Sequence, residues 1–368
     1  MKSLRRFLFA SAAGIFLLGN ANAQPRVPLK QFGATVTYRG FMSNYEYFNP
    51  IVPGFTLFGG VLEPGLSFSI DTTWVLFAGA WLQNDFGTEG FRRAEPNIRL
   101  EYRRKAWRMR FGSLDIYDQH DLSEWIYDPD DFITRGPAHG AQFNTAFRRL
   151  QSEHWVAWRK MIYTTSSEQE RLEAGSQINV NLIDHKSGWK VNVPLQGIVF
   201  HQGGQIGHID SSEKVVTSIA AAAGVALIKR FLTSGLVESI GVEAQTGWCN
   251  NDDDARIGNG FGFYGAASVG FAKGFKSSVG FWHAQDFYVE SGSPLYQSRS
   301  SPYAQQPVYQ STRRLALLVL EWNRRWQNGI AVDTWLQPHY DLDVEKTEYA
   351  YRLRLTYDFD LTLVRERE

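Results

Sequence analysis

Between Thr347 and Phe359 the chain alternates without a break: Tyr349, Tyr351, Leu353, Leu355, Tyr357 and Phe359 fall on one face, with Glu348, Arg352, Arg354, Thr356 and Asp358 on the other. A period of two is that of an extended strand, whose successive side chains point to opposite sides. The pattern recurs upstream. Ile98, Leu100 and Tyr102 oppose Asn97, Arg99, Glu101 and Arg103, and in the next segment Trp107, Met109 and Phe111 oppose Arg108 and Arg110. Further on, Leu172, Ala174, Ile178, Val180 and Leu182 oppose Arg171, Glu173, Gln177, Asn179 and Asn181. Charge at every second position is costly in a dry core, because unpaired charge must be desolvated there, and cheap where that face lines water. The pattern therefore predicts strands with one face on lipid and the other on a wet interior.

Such segments recur about every 20 residues, joined by connectors that are alternately long and short. Counting from a first strand at Phe32, eight long connectors fall near 44–54, 84–95, 116–139, 162–168, 201–213, 249–259, 289–311 and 340–346. Seven short ones fall at Asp71–Thr73, Arg104–Lys105, Arg149–Ser152, Asp184–Ser187, Leu232–Ser234, Lys273–Gly274 and Gln327–Asn328. The fold class expected is all-β: a closed antiparallel transmembrane β-barrel of about sixteen strands (14–18), with short periplasmic turns, long extracellular loops and both termini in the periplasm. Three segments break the pattern. Residues 74–82 and 313–320 are apolar on both faces, and 215–228 carries Ala and Gly on its inner face, which fits either a loop packed against the wall or weak patterning.

Composition narrows the picture. Lys2, Arg5 and Arg6 precede an apolar run from Phe7 to Gly19, and Ala21-Asn22-Ala23 follows, so residues 1–23 read as a cleaved signal peptide and 24–368 as one barrel domain, its last strand near 346–360 and a charged tail at 361–368. No later apolar run reaches the roughly 18 residues of a membrane helix. The 14% aromatic content suits girdles at the membrane interfaces. Lys plus Arg equals Asp plus Glu at 38 each, which gives nucleic-acid binding no support, and the lone Cys249 cannot form an internal disulfide.

In the 116–139 connector, Asp118, Asp121, Glu124, Asp128, Asp130 and Asp131 lie among Tyr117, Trp125, Tyr127 and Phe132. By length and place, as the third long loop, it resembles the constriction loop of bacterial outer-membrane porins, without that family's glycine-rich tip. The terminal Tyr357-x-Phe359 likewise resembles the closing strand of that class. This resemblance implies a barrel in the outer membrane of a Gram-negative-type bacterium, in contact with lipid and lipopolysaccharide. It also implies a homotrimer and passive diffusion of small hydrophilic solutes. If the loop enters the lumen, its carboxylates face Arg99, Arg103, Arg108, Arg110, Arg352 and Arg354, with Glu101, Arg171 and Glu173 also on the channel wall, setting a transverse field across a constriction. Alternatives are a channel selective for oligosaccharide or polysaccharide, with Trp125 or Tyr127 stacking on sugar, and a non-conducting adhesin or scaffold. Asp252-Asp253-Asp254 reads as solvated loop charge before a Ca²⁺ site. The eight His lack metal-ligand spacing, and His120 beside Asp121 is the best acid/base candidate, though a loop His is ordinarily exposed. The expectation is thus no catalysis, no metal and no cofactor.

Overall fold

Each strand pairs antiparallel with its sequence neighbours, and the first returns to the last, so the sheet has no edge. The computed structural model describes residues 31–365 except 118, 164–167, 205–214, 233–234, 253–257, 302–303 and 305. The expected signal segment and Asp118 therefore lie outside the described residues. The sixteen strands are β1 (Gln31–Glu46), β2 (Phe55–Ser69), β3 (Trp74–Asp85), β4 (Arg93–Arg104), β5 (Trp107–Ser113), β6 (His139–Ala146), β7 (Leu150–Lys160) and β8 (Arg171–Asp184), followed by β9 (Trp189–Gln202), β10 (Val216–Arg230), β11 (Val237–Asn251), β12 (Asn259–Phe271), β13 (Phe275–Gln285), β14 (Thr312–Arg325), β15 (Ile330–Asp341) and β16 (Lys346–Arg365). Long and short connectors alternate as the sequence pattern requires. The closing strand runs to Arg365, so most of the expected charged tail is strand, with Val36 opposite Phe359 and Gln31 opposite Arg365. Leu361 and Leu363 continue the outward apolar row past Phe359, which is why pairing does not stop there.

The outer wall is apolar, with Leu100, Phe111, Phe263, Leu353 and Phe359 among its exposed side chains. The core lies inside the barrel. The 114–138 loop, whose one helical turn is α1 (Asp131–Thr134), turns into the bore and meets the 286–311 loop and the 47–54 loop. Ile51, Val52, Leu122, Trp125, Ile126, Tyr127, Phe132, Ile133, Phe287, Val289, Leu295 and Tyr296 are all buried. These loops carry the apolar residues of a small domain and bury them against one another, the dominant favourable term in folding.

The irregular strands are explained by this plug. Phe77 and Trp81 of β3 are apolar and inward, and Trp81 stacks on Tyr117 at 5.6 Å. Leu315 and Leu317 of β14 are likewise inward and belong to the same core. Small inward residues provide clearance: a Cβ on Gly247 of β11 would sit 2.4 Å from the Trp125 ring, and one on Gly292 would sit 2.6 Å from the Trp125 carbonyl oxygen.

Candidate functional site: the plugged bore and the lipid-facing wall

The 114–138 loop touches the wall nearly all the way round. Tyr117 donates to Glu63 on β2, Gln83 of β3 donates to the Ile133 carbonyl (3.1 Å), and Arg93 of β4 donates to the carbonyls of Thr134 and Arg135 (2.7 Å each). Across the bore, Gln196 of β9 accepts from the Ser123 amide (2.9 Å), Gln245 of β11 accepts from the Ser123 hydroxyl (3.0 Å), and Trp125 packs on Trp282 of β13.

Charge fixes the same loop. Glu124 pairs with Arg352, Asp130 with Arg354 (3.0 Å), and Asp131 with Arg159 (2.7 Å) and Arg135 (3.0 Å). Glu173 pairs with Arg159 at 2.9 Å, and Tyr127 lies in the same cluster, its hydroxyl donating to Asp131 at 2.9 Å. Buried charges are tolerable only when paired and hydrogen-bonded, as here. Asp128 is different. Burial first, and the neighbouring Asp130 second, push its carboxyl up to about 7.

The expected transverse field takes another form. Arg352 and Arg354 meet Glu124 and Asp130 of the loop, and Arg108 and Arg110 meet Asp115 at its start, whereas Arg103 and Arg110 are also held by Glu101 of the wall itself. Arg171 stands exposed at the rim, and Asn179 donates to Asp121 at 3.0 Å. Trp125 and Tyr127 are buried in the plug and are not placed to stack on a passing sugar. Arg39, Glu63, Arg135 and Arg159 complete the networks. Their partners lie up to 156 residues away, so alternation alone does not select them.

His120 is 2% exposed rather than solvated. It stacks on Trp155 at 3.8 Å, and its Nδ1 meets Glu153. Gln119, His120 and Asp121 all have positive φ (52°, 54° and 56°), a local cost offset by burying the ring. Beneath the plug, towards the end carrying the termini, lies a vestibule of about 750 Å³ lined by Arg39, Arg325, Arg354, Asp121, Glu153, Asp333, Asp358 and Trp335.

Two His–hydroxyl pairs face lipid instead. His154 Nδ1 of β7 lies 2.8 Å from Ser176 Oγ of β8, halfway along the wall. His201 Nδ1 of β9 lies 3.0 Å from Thr217 Oγ1 of β10, at the rim where the long loops begin. Beside it, Asp252 accepts from the Thr217 amide (2.5 Å), and Trp158 donates to Glu170 (2.8 Å). Both pairs depend on cross-strand register, which a single strand's pattern does not reveal. Among the described residues no group of three or more His, Cys, Asp or Glu could hold a metal ion, and Asp253 and Asp254 fall outside them.

Solved structures similar in outline include OprD of Pseudomonas aeruginosa (9% identity, TM-score 0.47, covering 90% of this chain and 94% of that one). Others are OccK3 of the same organism (12%, 0.48, 90% and 96%) and a loop-deletion variant of OmpT from Vibrio cholerae (9%, 0.48, 90% and 99%). No curated protein matches the sequence. The family model described as Lipid A 3'-O-deacylase-type matches residues 29–366, the whole barrel. That match overturns the expectation that the chain is not an enzyme, which rested on the absence of familiar linear motifs. A site assembled across separate strands has none. The chain belongs to the Lipid A 3'-O-deacylase-type family.

Proposed function

We propose that this outer-membrane barrel hydrolyses an ester-linked acyl chain of a lipid A-type glycolipid, working from the lipid-facing wall at the long-loop rim, with the long loops outward and both termini periplasmic. The carrying observation is the outward His201–Thr217 pair at that rim. A lipid substrate reaches the outside of a barrel, and here the inside is filled by the plug. Depth separates the two lipid-facing pairs. The ester of a membrane glycolipid lies near the head groups, where water is present, and His201 is the second-last residue of β9. Ser176 stands at mid-strand, in hydrocarbon, where its bond to His154 satisfies two polar groups that would otherwise be costly.

In this reading His201 removes a proton from water as the water oxygen attacks the ester carbonyl. The resulting imidazolium returns that proton to the departing sugar oxygen, giving a fatty acid and a free sugar hydroxyl. Thr217 holds the ring by its hydrogen bond. The test is mass spectrometry of lipid A incubated with the refolded full chain. His201→Ala should lower deacylation by about 10²- to 10⁴-fold, the usual worth of a general base, with Ser176→Ala unchanged. Retained activity in His201→Ala, or loss in Ser176→Ala, refutes the assignment.

A second reading, a selective or passive channel, draws on the charged vestibule of about 750 Å³. It requires the plug to move. Stepwise conductance in planar bilayers, unaffected by His201→Ala, would support it.

A further inference from the structure

We infer that the basic wall of the vestibule carries a binding pocket for a small oxyanion, of which inorganic phosphate is the simplest. A cavity of about 110 Å³ opens between β1–β5 and the plug, adjoining the vestibule through Arg39, Asp115 and Tyr117. Three guanidiniums line it (Arg39, Arg99 and Arg110) against two carboxylates, Glu63 and Asp115.

Both carboxylates are already engaged. Glu63 Oε1 takes Arg39 and the Tyr117 hydroxyl, and its Oε2 takes Asn97 at 2.8 Å. Asp115 takes Arg110 at 3.0 Å, and Arg110 also reaches Glu101 at 2.7 Å. Burial raises the Asp115 carboxyl, but Arg110 and Arg108 more than offset this and hold it below the ordinary range.

Arg99 stands apart. Its guanidinium lies 3.8 Å over the Phe77 ring and donates to the Asn97 side-chain oxygen at 3.2 Å, and among the described residues it makes no ion pair. A half-buried guanidinium with no direct ion pair among the described residues, beside the Thr35 hydroxyl, presents the planar fork and a hydroxyl donor that oxyanions take. The surplus positive charge would draw anions from the vestibule towards this wall.

The experiment is calorimetric titration of the refolded full chain in detergent with inorganic phosphate, against sodium chloride at equal ionic strength. A short-chain phosphatidic acid provides a second arm that separates lipid phosphate from the free ion. Saturable phosphate binding that Arg99→Gln weakens at least tenfold, while the outer-wall control Lys229→Gln, whose ammonium lies over the Trp189 ring, leaves it within twofold, is the expected result. Arg99→Lys, which keeps the charge, should bind more tightly than Arg99→Gln and serves if the latter fails to fold. Absence of saturable phosphate binding, phosphatidic acid binding alone, or equal binding by Arg99→Gln or by Arg99→Lys and wild type would overturn the inference.

Discussion

Trp125→Ala isolates what holds the plug in the bore. The ring is 3% exposed, lies 5.2 Å from Trp282 and 5.7 Å from Phe287, and fills the clearance left by Gly247. Truncating a buried Trp costs about 3–5 kcal/mol, which includes ring contacts worth roughly 0.5–1.5 kcal/mol each. The sixteen-strand ladder is untouched, so the loss falls on plug docking and shifts its equilibrium by between about 10² and 10⁴. Trypsin cleavage after Arg135, in the loop, measures that shift, and planar-bilayer current reports whether the bore opens. Cleavage should accelerate while the barrel still resists SDS until heated. Gly247→Val should loosen the plug from the other side, since its Cβ would meet the Trp125 ring at 2.4 Å, and should add little in the Trp125→Ala background. Unchanged cleavage in Trp125→Ala, or loss of SDS resistance in step with it, refutes the idea of a plug that docks separately from the wall.

Two further outcomes follow from the charge network. Arg159→Met leaves Asp131 and Glu173 sharing Arg135, and breaking such a buried pair costs about 3–5 kcal/mol. Its thermal transition should fall, and adding Asp131→Asn should recover part of the loss, as a double-mutant cycle checks. Asp128 titrates at about 7 in the folded chain, against about 3.9 unfolded. The folded state therefore binds the proton more tightly, and its stabilising share is complete below about pH 4 and lost as pH rises through about 7. Loop cleavage should be slower at pH 5 than at pH 8, and Asp128→Asn should flatten the difference.

How far the site could be read in advance depended on the range of the contacts. Arg352 and Arg354 are legible as inward because period two is local, and so is the acidic, aromatic character of the 114–138 loop. Arg159 sits in a strand with the same alternation, yet its partners lie in the loop and in β8, and nothing in β7 announces them. His120 looked exposed because its neighbours in sequence are polar. Its neighbours in space are Trp155, Tyr127 and Glu153.

By itself the sequence determined a closed barrel of about sixteen strands, their inside and outside, and the alternation of long and short connectors. These follow from pleat geometry and from the requirement that no strand edge face lipid. Only the tertiary structure decided that the bore is filled, that the irregular inner faces of β3, β10 (through buried Ala220 and Ala222) and β14 are seats for the plug, and that His201 meets Thr217 on the outer wall. The physical reason is that docking and cross-strand register are properties of pairs distant in the chain, set by shape and charge complementarity that no single segment encodes.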